Sequence, residues 1–281
     1  MAANIGGLDV IATPIGNLGD LSPRAQAALA AADLIAAEDT RHSAQLLAAA
    51  GLKKPMISLH EHNEGQRIAA LLDRMHRGER IALISDAGTP LLSDPGFLLV
   101  SAAAAAGITV SAIPGPSAIT AALSLAGLPT DRFVFEGFLS ARASERRQQL
   151  QSLLAEPRTL VFFEAPHRIV ATLEDLQLVF GAERQAVVAR ELTKTHESIY
   201  RGSLAQLAAA AAADANMARG EIVLIVAGNS AVQEGDMALL GRALPLLLKE
   251  LPPARAAAIA ARLAGVSRDT AYAMATRAPR R

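Results

Sequence analysis

The stretch Ser85-Asp-Ala-Gly-Thr-Pro-Leu-Leu-Ser-Asp-Pro-Gly96 constrains this chain more than any other. It follows Arg80-Ile-Ala-Leu-Ile84, an apolar run of strand length, and precedes Phe97 to Ala106, whose composition suits a helix. Two Gly, two Pro, two Asp and two Ser within twelve residues make a tight, polar loop. Gly88 is free to take a positive φ there, while Pro90 and Pro95 stiffen the backbone. A loop leaving the carboxyl end of a strand is where open α/β sheets place their ligands, so this segment reads as a ligand loop as well as a strand-to-helix connection.

The same grammar repeats through the first half. Leu8 to Ala12 is a strand, Thr13-Pro-Ile-Gly-Asn-Leu-Gly-Asp20 a turn, and Ser22-Pro23 an N-cap with proline at the first helical position, opening a helix over Arg24 to Ala32. Leu34 to Glu38 is a second strand, after which Thr40 can cap a helix. Met56 to His60 is a third strand, and Gly65 to Arg77 an amphipathic helix with Ile68, Leu71, Leu72 and Met75 on one side. Ile108 to Ile113 is a further strand. It runs through Pro114-Gly-Pro-Ser-Ala118 into the helix Ile119 to Ala126, whose first N–H groups can hold a carboxylate. Strand–helix alternation of this kind builds an α/β domain with a mostly parallel sheet, assigned to residues 1–116.

From Leu128 the spacing changes. Phe133 to Phe135, Arg158 to Phe163, Ala186 to Arg190, Glu197 to Arg201 and Glu221 to Gly228 read as strands. Gly137 to Ser144 reads as a polar, basic loop, with Arg142, Arg146 and Arg147 close by. Hairpin-like intervals between several of these strands call for a mixed sheet, and hence a second α/β domain over residues 117–231. Gln233 to Asp236 is a candidate linker to a basic helical tail, residues 232–281, with helices over Pro253 to Leu263 and Arg268 to Thr276. Eight basic residues against two acidic ones from Gly241 onward make the tail either a solvated end or a polyanion contact. The two helices have helix–turn–helix spacing, which a simple helical hairpin satisfies as well.

Composition removes whole classes of function. With no Cys, disulfides, thiolate metal sites and cysteine nucleophiles are excluded. Aromatic residues make up 3% of the chain, too few for a base-stacking platform. No apolar run reaches the roughly 18 residues of a membrane span, and Met1-Ala-Ala-Asn-Ile-Gly-Gly lacks the features of a signal peptide, so a soluble cytoplasmic protein is expected. There is no G-x-G-x-x-G, no G-K-[ST] and no G-x-S-x-G, which argues against nicotinamide enzymes, P-loop NTPases and hydrolases with a nucleophile elbow.

Charged residues gather at the ends of apolar runs: Asp39 and Arg41, His60 and His62, Asp86, then Glu164, His167 and Arg168, then Arg190, Glu191 and Lys194. Strand ends on one edge of a sheet converge, so these outline one cleft for a polar ligand. If the chain stays extended after Met56, His60, His62 and Glu64 share a face as a metal constellation or as a polar cleft edge. No further ligand cluster lies nearby in sequence, so no metal is expected.

Seven ordered motifs then carry a resemblance: Ala12-Thr-Pro-Ile-Gly-Asn-Leu18, Ala37-Glu-Asp-Thr-Arg-His42, His60-Glu-His-Asn-Glu64, Ser85-Asp-Ala-Gly-Thr-Pro90, Ser93-Asp-Pro-Gly96, Pro114-Gly-Pro-Ser-Ala118 and Arg190-Glu-Leu-Thr-Lys194. From about Leu8 to Gly228 the chain resembles the bacterial small-subunit ribosomal RNA 2′-O-ribose methyltransferases, which are class III, tetrapyrrole-methylase-like S-adenosylmethionine enzymes. The tail resembles that family's small C-terminal domain. The resemblance implies methylation of a cytidine 2′-hydroxyl in the decoding centre of small-subunit rRNA, within the assembled ribosomal subunit, by a homodimer.

It also implies a cofactor folded between the two domains against Pro14, Asp86, Ala87, Gly88, Thr89, Ser117, Ala118, Glu164 and Ala165. The family commonly has Ser where this chain has Ala165. Catalytic help for a weakly acidic ribose hydroxyl is assigned to Lys194 and Glu191, with Lys194 requiring a depressed pKa if it is to act as a base. Arg41, His42, His60, His62, His167, Arg168 and Arg190 are assigned to RNA. Two rival readings keep parts of this picture: a methylase of a tetrapyrrole or another small molecule, and a non-catalytic RNA-binding assembly factor.

Overall fold

The computed structural model describes residues 6–229 and 237–277. The Gln233 to Asp236 linker lies outside the described residues.

The first sheet contains β1 (Gly7–Ile11), β2 (Leu34–Ala37), β3 (Met56–Ser58), β4 (Arg80–Ile84) and β5 (Thr109–Ile113), all parallel, in the order β3-β2-β4-β1-β5. Between them run α1 (Pro23–Ala31), α2 (Thr40–Ala49), α3 (Glu64–His76) and α4 (Phe97–Ala105). Both faces of β4 are covered: Ile81 and Leu83 join one apolar cluster with Leu71, Met75 and Leu99, while Ala82 and Ile84 join another with Leu29 and Leu47. That two-sided burial is the reason the strand reads as an unbroken apolar run.

Local chemistry sets the helix starts. Ser22 Oγ accepts the Ala25 N–H (3.1 Å), with Pro23 in the first turn of α1. At α2 the cap is Asp39 rather than Thr40: its carboxylate accepts the Arg41 N–H at 2.8 Å and also binds the Arg41 guanidinium, leaving the threonine inside the helix.

The second sheet has the order β6-β7-β10-β8-β9, from β6 (Phe133–Phe138), β7 (Thr159–Glu164), β8 (Gln185–Arg190), β9 (Ser198–Ser203) and β10 (Ile222–Val226). Only the β6–β7 pair is parallel, so the sheet is mixed. In β10 alternate residues serve two cores. Ile222, Leu224 and Val226 face α7 (Ile169–Phe180) and α8 (Leu204–Ala213), while Val223 and Ile225 face α5 (Ala118–Ala126). α5 therefore packs on the second sheet although it follows the last strand of the first.

The expected basic loop over Gly137 to Ser144 is shorter than the sequence suggests. β6 continues through a bulge to Phe138, with Gly137 at φ +68°, and α6 (Ala143–Ser152) starts soon after. Arg146 is not a loop cation. It is buried against Asp175 (Nη2–Oδ2 2.6 Å), and Arg147 holds the other oxygen of that carboxylate.

Among the described residues the tail contains three helices, α9 (Met237–Glu250), α10 (Pro253–Ala264) and α11 (Arg268–Arg277), packed through Leu240, Leu244 and a row of alanines on α10. The simple two-helix hairpin is thereby replaced by a three-helix unit, because α9 contacts both of the others. Among the described residues no helix is long and apolar enough to cross a membrane.

Candidate active site

The order of the first sheet makes β1 and β4 neighbours, so the loops after them leave the sheet side by side. They are clamped: Thr13 N–H donates to Gly88 O (2.8 Å), and Gly88 N–H donates to Thr13 O (3.1 Å). Thr13 Oγ1 donates to Ser85 O (3.3 Å), and Thr89 Oγ1 donates to Pro116 O (3.1 Å), tying in the loop before α5. Gly88 sits at φ +84°, and a Cβ there would come 3.3 Å from Ile15 Cγ2, so both conformation and space favour glycine. β2 lies on the other side of β4, and Asp39 N–H, just beyond it, donates to Asp86 Oδ1 (3.1 Å).

The second sheet meets this edge with its own strand ends. Ile222, which opens the antiparallel β10, pairs with both Glu164 and Arg190, so the residues after β7 and β8 and before β10 come out together. Between the two edges lies a cleft of about 430 Å³. Asp86, Ala87, Gly88 and Thr89 line it from the first sheet, Ser117 and Ala118 from the start of α5, and Glu164 and Ala165 from the second sheet. Pro14 does not line it; its neighbour Ile15 does.

Sequence reading missed Glu38 and Asp94 on the first wall and Phe138, Phe163, Leu192 and Val223 on the second. Asp94 was within reach, since it belongs to the ligand loop itself. Glu38 required the sheet order, which sets β2 beside β4.

The first wall concentrates negative charge. Burial raises the Glu38 carboxyl above its ordinary range, and the nearby Asp86 charge adds to this. Burial also raises Asp94, to about 6, against a hydrogen bond from the Ser85 hydroxyl, with the charges of Glu38 and Asp86 adding to the rise. Backbone strain gathers nearby. Among the described residues the non-glycine positive φ values are Leu91 (75°), Ser93 (70°), Glu191 (52°) and Thr193 (65°), in two loops that reach the cleft from opposite sides.

The second wall behaves differently. Glu164 is 2% exposed and its carboxylate is filled: it accepts the Ala165 N–H (2.7 Å) and the Thr172 hydroxyl (2.5 Å), and Arg168 Nε lies 2.8 Å away as an ion pair without hydrogen-bond alignment. Glu191 Oε1 accepts Lys194 Nζ (2.9 Å) and the Glu221 N–H (2.9 Å), and Lys194 Nζ also lies 3.2 Å from Glu221 Oε2. Burial works to raise the Glu191 carboxyl, but the Glu221 N–H and the Lys194 ammonium outweigh it and hold the group below its ordinary range. Burial likewise works to lower Lys194, and its two carboxylate partners outweigh that, so the amine is held above its ordinary range. The condition for Lys194 to serve as a base, a depressed pKa, is not met here. It stands as a cation, its stem packed over Gly16 of the loop after β1.

The residues assigned to RNA divide in two. Arg41, His42, His62 and His167 are exposed. Arg190 is only 9% exposed, and its guanidinium donates to the carbonyls of His196 (3.1 Å) and Arg219 (3.5 Å), which organises the loop after β8. Arg168 is held by Glu164 and by Leu139 O (2.7 Å). His60 is half-buried, its Nε2 2.9 Å from Asn63 Nδ2. The extended run that would align His60, His62 and Glu64 does not form. β3 stops at Ser58, a turn follows, and Glu64 turns inward so that its Oε1 accepts the Leu99 N–H (2.9 Å) in the first turn of α4. Among the described residues no group of three His, Cys, Asp or Glu side chains is placed to hold a metal ion.

Residues 8–208 match the family described as Tetrapyrrole (Corrin/Porphyrin) Methylases, and residues 234–278 match the RsmI C-terminal HTH domain. The chain is 54% identical over 268 residues to Ribosomal RNA small subunit methyltransferase I of Xylella fastidiosa (strain Temecula1), covering 95% of this chain and 98% of that one. Its fold is similar to the solved structure of the methyltransferase CobJ, with a TM-score of 0.60, 22% identity and coverage of 80% of this chain and 95% of that one. It is also similar to uroporphyrin-III C-methyltransferase from Thermus thermophilus complexed with S-adenyl homocysteine, with a TM-score of 0.54, 19% identity and coverage of 79% and 97%. With its parallel sheet, its mixed sheet and the helical unit that follows them, this chain belongs to the tetrapyrrole methylase family and, within it, to the ribosomal RNA small subunit methyltransferase I group.

Proposed function

We propose that this protein methylates the 2′-hydroxyl of a cytidine ribose in the decoding centre of small-subunit rRNA, with S-adenosylmethionine as methyl donor. The carrying observation is near-complete alignment, at 54% identity, with a relative whose name states the small-subunit rRNA activity. A second fact points the same way. The two solved methyltransferases reported above are covered over 95% and 97% of their own length but only 80% and 79% of this chain. The basic helical tail lies beyond residues 8–208, the part of the chain that matches the tetrapyrrole methylases. An extra basic unit suits a polyanionic substrate better than a macrocycle.

The cleft fits the donor. About 430 Å³ lies within the range of small-molecule sites, roughly 300–1,000 Å³. The donor supplies a methyl group activated on a sulfonium and carries net positive charge, which the carboxylates of Glu38 and Asp86 oppose across the first wall. Ile15, Phe138, Phe163 and Leu192 give apolar surface for a flat base. Asp86 fixes the loop after β2 through the Asp39 N–H and presents its second oxygen as a ligand acceptor. Gly88 lets the backbone approach closely. Leu192 and Val223 exclude water from the reacting groups. Lys194 stays protonated beside the cleft and favours negative charge developing on an acceptor oxygen.

In this reading residues 1–116 carry the acidic wall, residues 117–231 the apolar wall, and residues 232–281 contact RNA. Arg41, His42, His62 and His167 are the exposed groups that meet the sugar–phosphate backbone. The protein works in the cytoplasm as a homodimer on the assembled small subunit.

Radiolabelled S-adenosylmethionine incubated with small subunits lacking the modification, and with naked rRNA as control, tests the reading. Label on a ribose 2′-oxygen of the particle is expected. Tight cofactor binding with no label on any ribosomal substrate moves the assignment to a small-molecule methylase.

A further inference from the structure

Methylating a hydroxyl releases a proton, and a group in the cleft placed to take it speeds the step. The inference rests on the function proposed above. The titratable residues lining the cleft are Glu38, Asp86, Asp94, Glu164 and Glu221. Glu164 is filled by Arg168, Thr172 and the Ala165 N–H. Glu221 is paired with Lys194, which is held as a cation. Asp86 holds the Asp39 N–H and, on the function proposed above, gives its other oxygen to the donor, while Glu38 holds the Asp86 N–H. Asp94 is met by the Ser85 hydroxyl, a partner that can rotate.

That hydroxyl has a second acceptor within reach, Ala87 O at 3.4 Å. It can therefore turn away when the carboxylate takes up a proton. The loop bearing Asp94 is held in place by strain and by contact. Leu91 and Ser93 carry positive φ, a Cβ on Gly96 would come 2.7 Å from Leu83 Cδ2, and a Cβ on Gly137 of the second sheet would come 3.1 Å from Ser93 Oγ. Asp94 is thus fixed at the point where the first wall meets the second.

We propose that Asp94 is the proton acceptor for the substrate hydroxyl, with Glu38 and Asp86 as positioning residues that set its affinity for the proton. The step balances. The hydroxyl proton passes to the Asp94 carboxylate, the oxygen pair forms the new O–C bond, and the pair of the breaking C–S bond stays on the departing thioether. The carboxylic acid returns its proton to water when product leaves. The charged and titratable groups facing Asp94 are Glu38 beyond β2 and Asp86 beyond β4. A group that titrates near 6 is largely ionised at neutral pH and still basic enough to assist.

Single-turnover methyl transfer to unmodified small subunits, calorimetric binding of S-adenosylmethionine, and a ¹³C carboxyl titration of the cofactor-free protein test this together. Asp94→Asn is expected to lower the transfer rate about a hundredfold or more with donor affinity within about threefold of wild type. Glu38→Gln is expected to shift the acid limb of the rate profile, and the Asp94 carboxyl titration with it, to lower pH. An Asp94→Asn rate within about fivefold of wild type overturns the proposal, as does a loss of affinity that matches the loss of rate. A carboxyl that titrates near the ordinary aspartate value overturns it without reference to any substrate. Wild-type protein that binds the donor and leaves the particle unlabelled counts against the proposed substrate instead, and the titration still decides on Asp94.

Discussion

The two walls of the cleft treat their ionisable groups in opposite ways. On the first wall Glu38, Asp86 and Asp94 crowd together with no cation among the lining residues, and burial raises two of them. On the second wall each charge is answered within the protein: Glu164 by Arg168 and Thr172, Glu191 and Glu221 by Lys194, Arg190 by backbone carbonyls. Unanswered charge is costly in the free protein, and it is retained where a ligand will answer it. Answered charge holds shape. On the function proposed above, the first wall supplies the charged groups of the site, and the second is a largely apolar plate braced by its own ion pairs.

The sharpest way to break this comparison is to unbalance the second wall. Glu164→Ala leaves Arg168 partly buried without its carboxylate and removes the acceptor of Thr172. A loss of about 3–5 kcal/mol in stability is expected from urea unfolding. A loss under about 1 kcal/mol would mean that the pairing holds nothing in place. Next comes the first wall. Asp86→Ala should leave stability near wild type but weaken S-adenosylmethionine by about 2–3 kcal/mol, roughly 30- to 150-fold, in a calorimetric titration. Wild-type affinity in that variant would move the cofactor off this loop.

The difference between the walls was only half legible in the sequence. The ligand loop was, because Gly88, Pro90, Pro95 and Gly96 announce special backbone between an apolar strand and a helix. So was the start of α1, where Ser22 and Pro23 act within a few residues. Glu38 was not, because its meeting with Asp86 and Asp94 depends on β2 lying beside β4, a pairing across 47 residues that no local pattern encodes.

Arg168 and Arg190 were read as contacts for RNA because charge at a strand end looks the same whether or not the fold answers it. Their partners, Glu164 and the carbonyls of His196 and Arg219, become visible only with coordinates. In the tail, Gly241 and Pro245 hid α9. Both count as helix breakers, yet Leu240 and Leu244 pack firmly enough on the alanines of α10 to keep the helix continuous.

Two smaller effects sharpen the contrast. With a folded-state value of about 6 against an ordinary 3.8, Asp94 binds more protons in the native protein than in the unfolded chain between those limits. Its contribution is fully present below about pH 4 and is lost as pH rises through about 6. Asp94→Asn should therefore stabilise the cofactor-free protein more at pH 8 than at pH 5, by about 1 kcal/mol or less after discounting for partial exposure. Melting temperatures at the two pH values read this directly, and a gain equal at both would remove Asp94 from the strained set.

The mildest probe is Ala165→Ser, which supplies the hydroxyl that the sequence resemblance leads one to expect there. Ala165 lines the cleft on the second wall, and its N–H already donates to Glu164. If that wall only excludes water and holds shape, an added hydroxyl finds the neighbouring carboxylate filled and changes little: donor affinity within about threefold and melting within a degree or two. A tenfold gain in affinity would mean that the second wall also reads the ligand through polar contacts, and that this chain replaces the missing hydroxyl with carboxylates from the first.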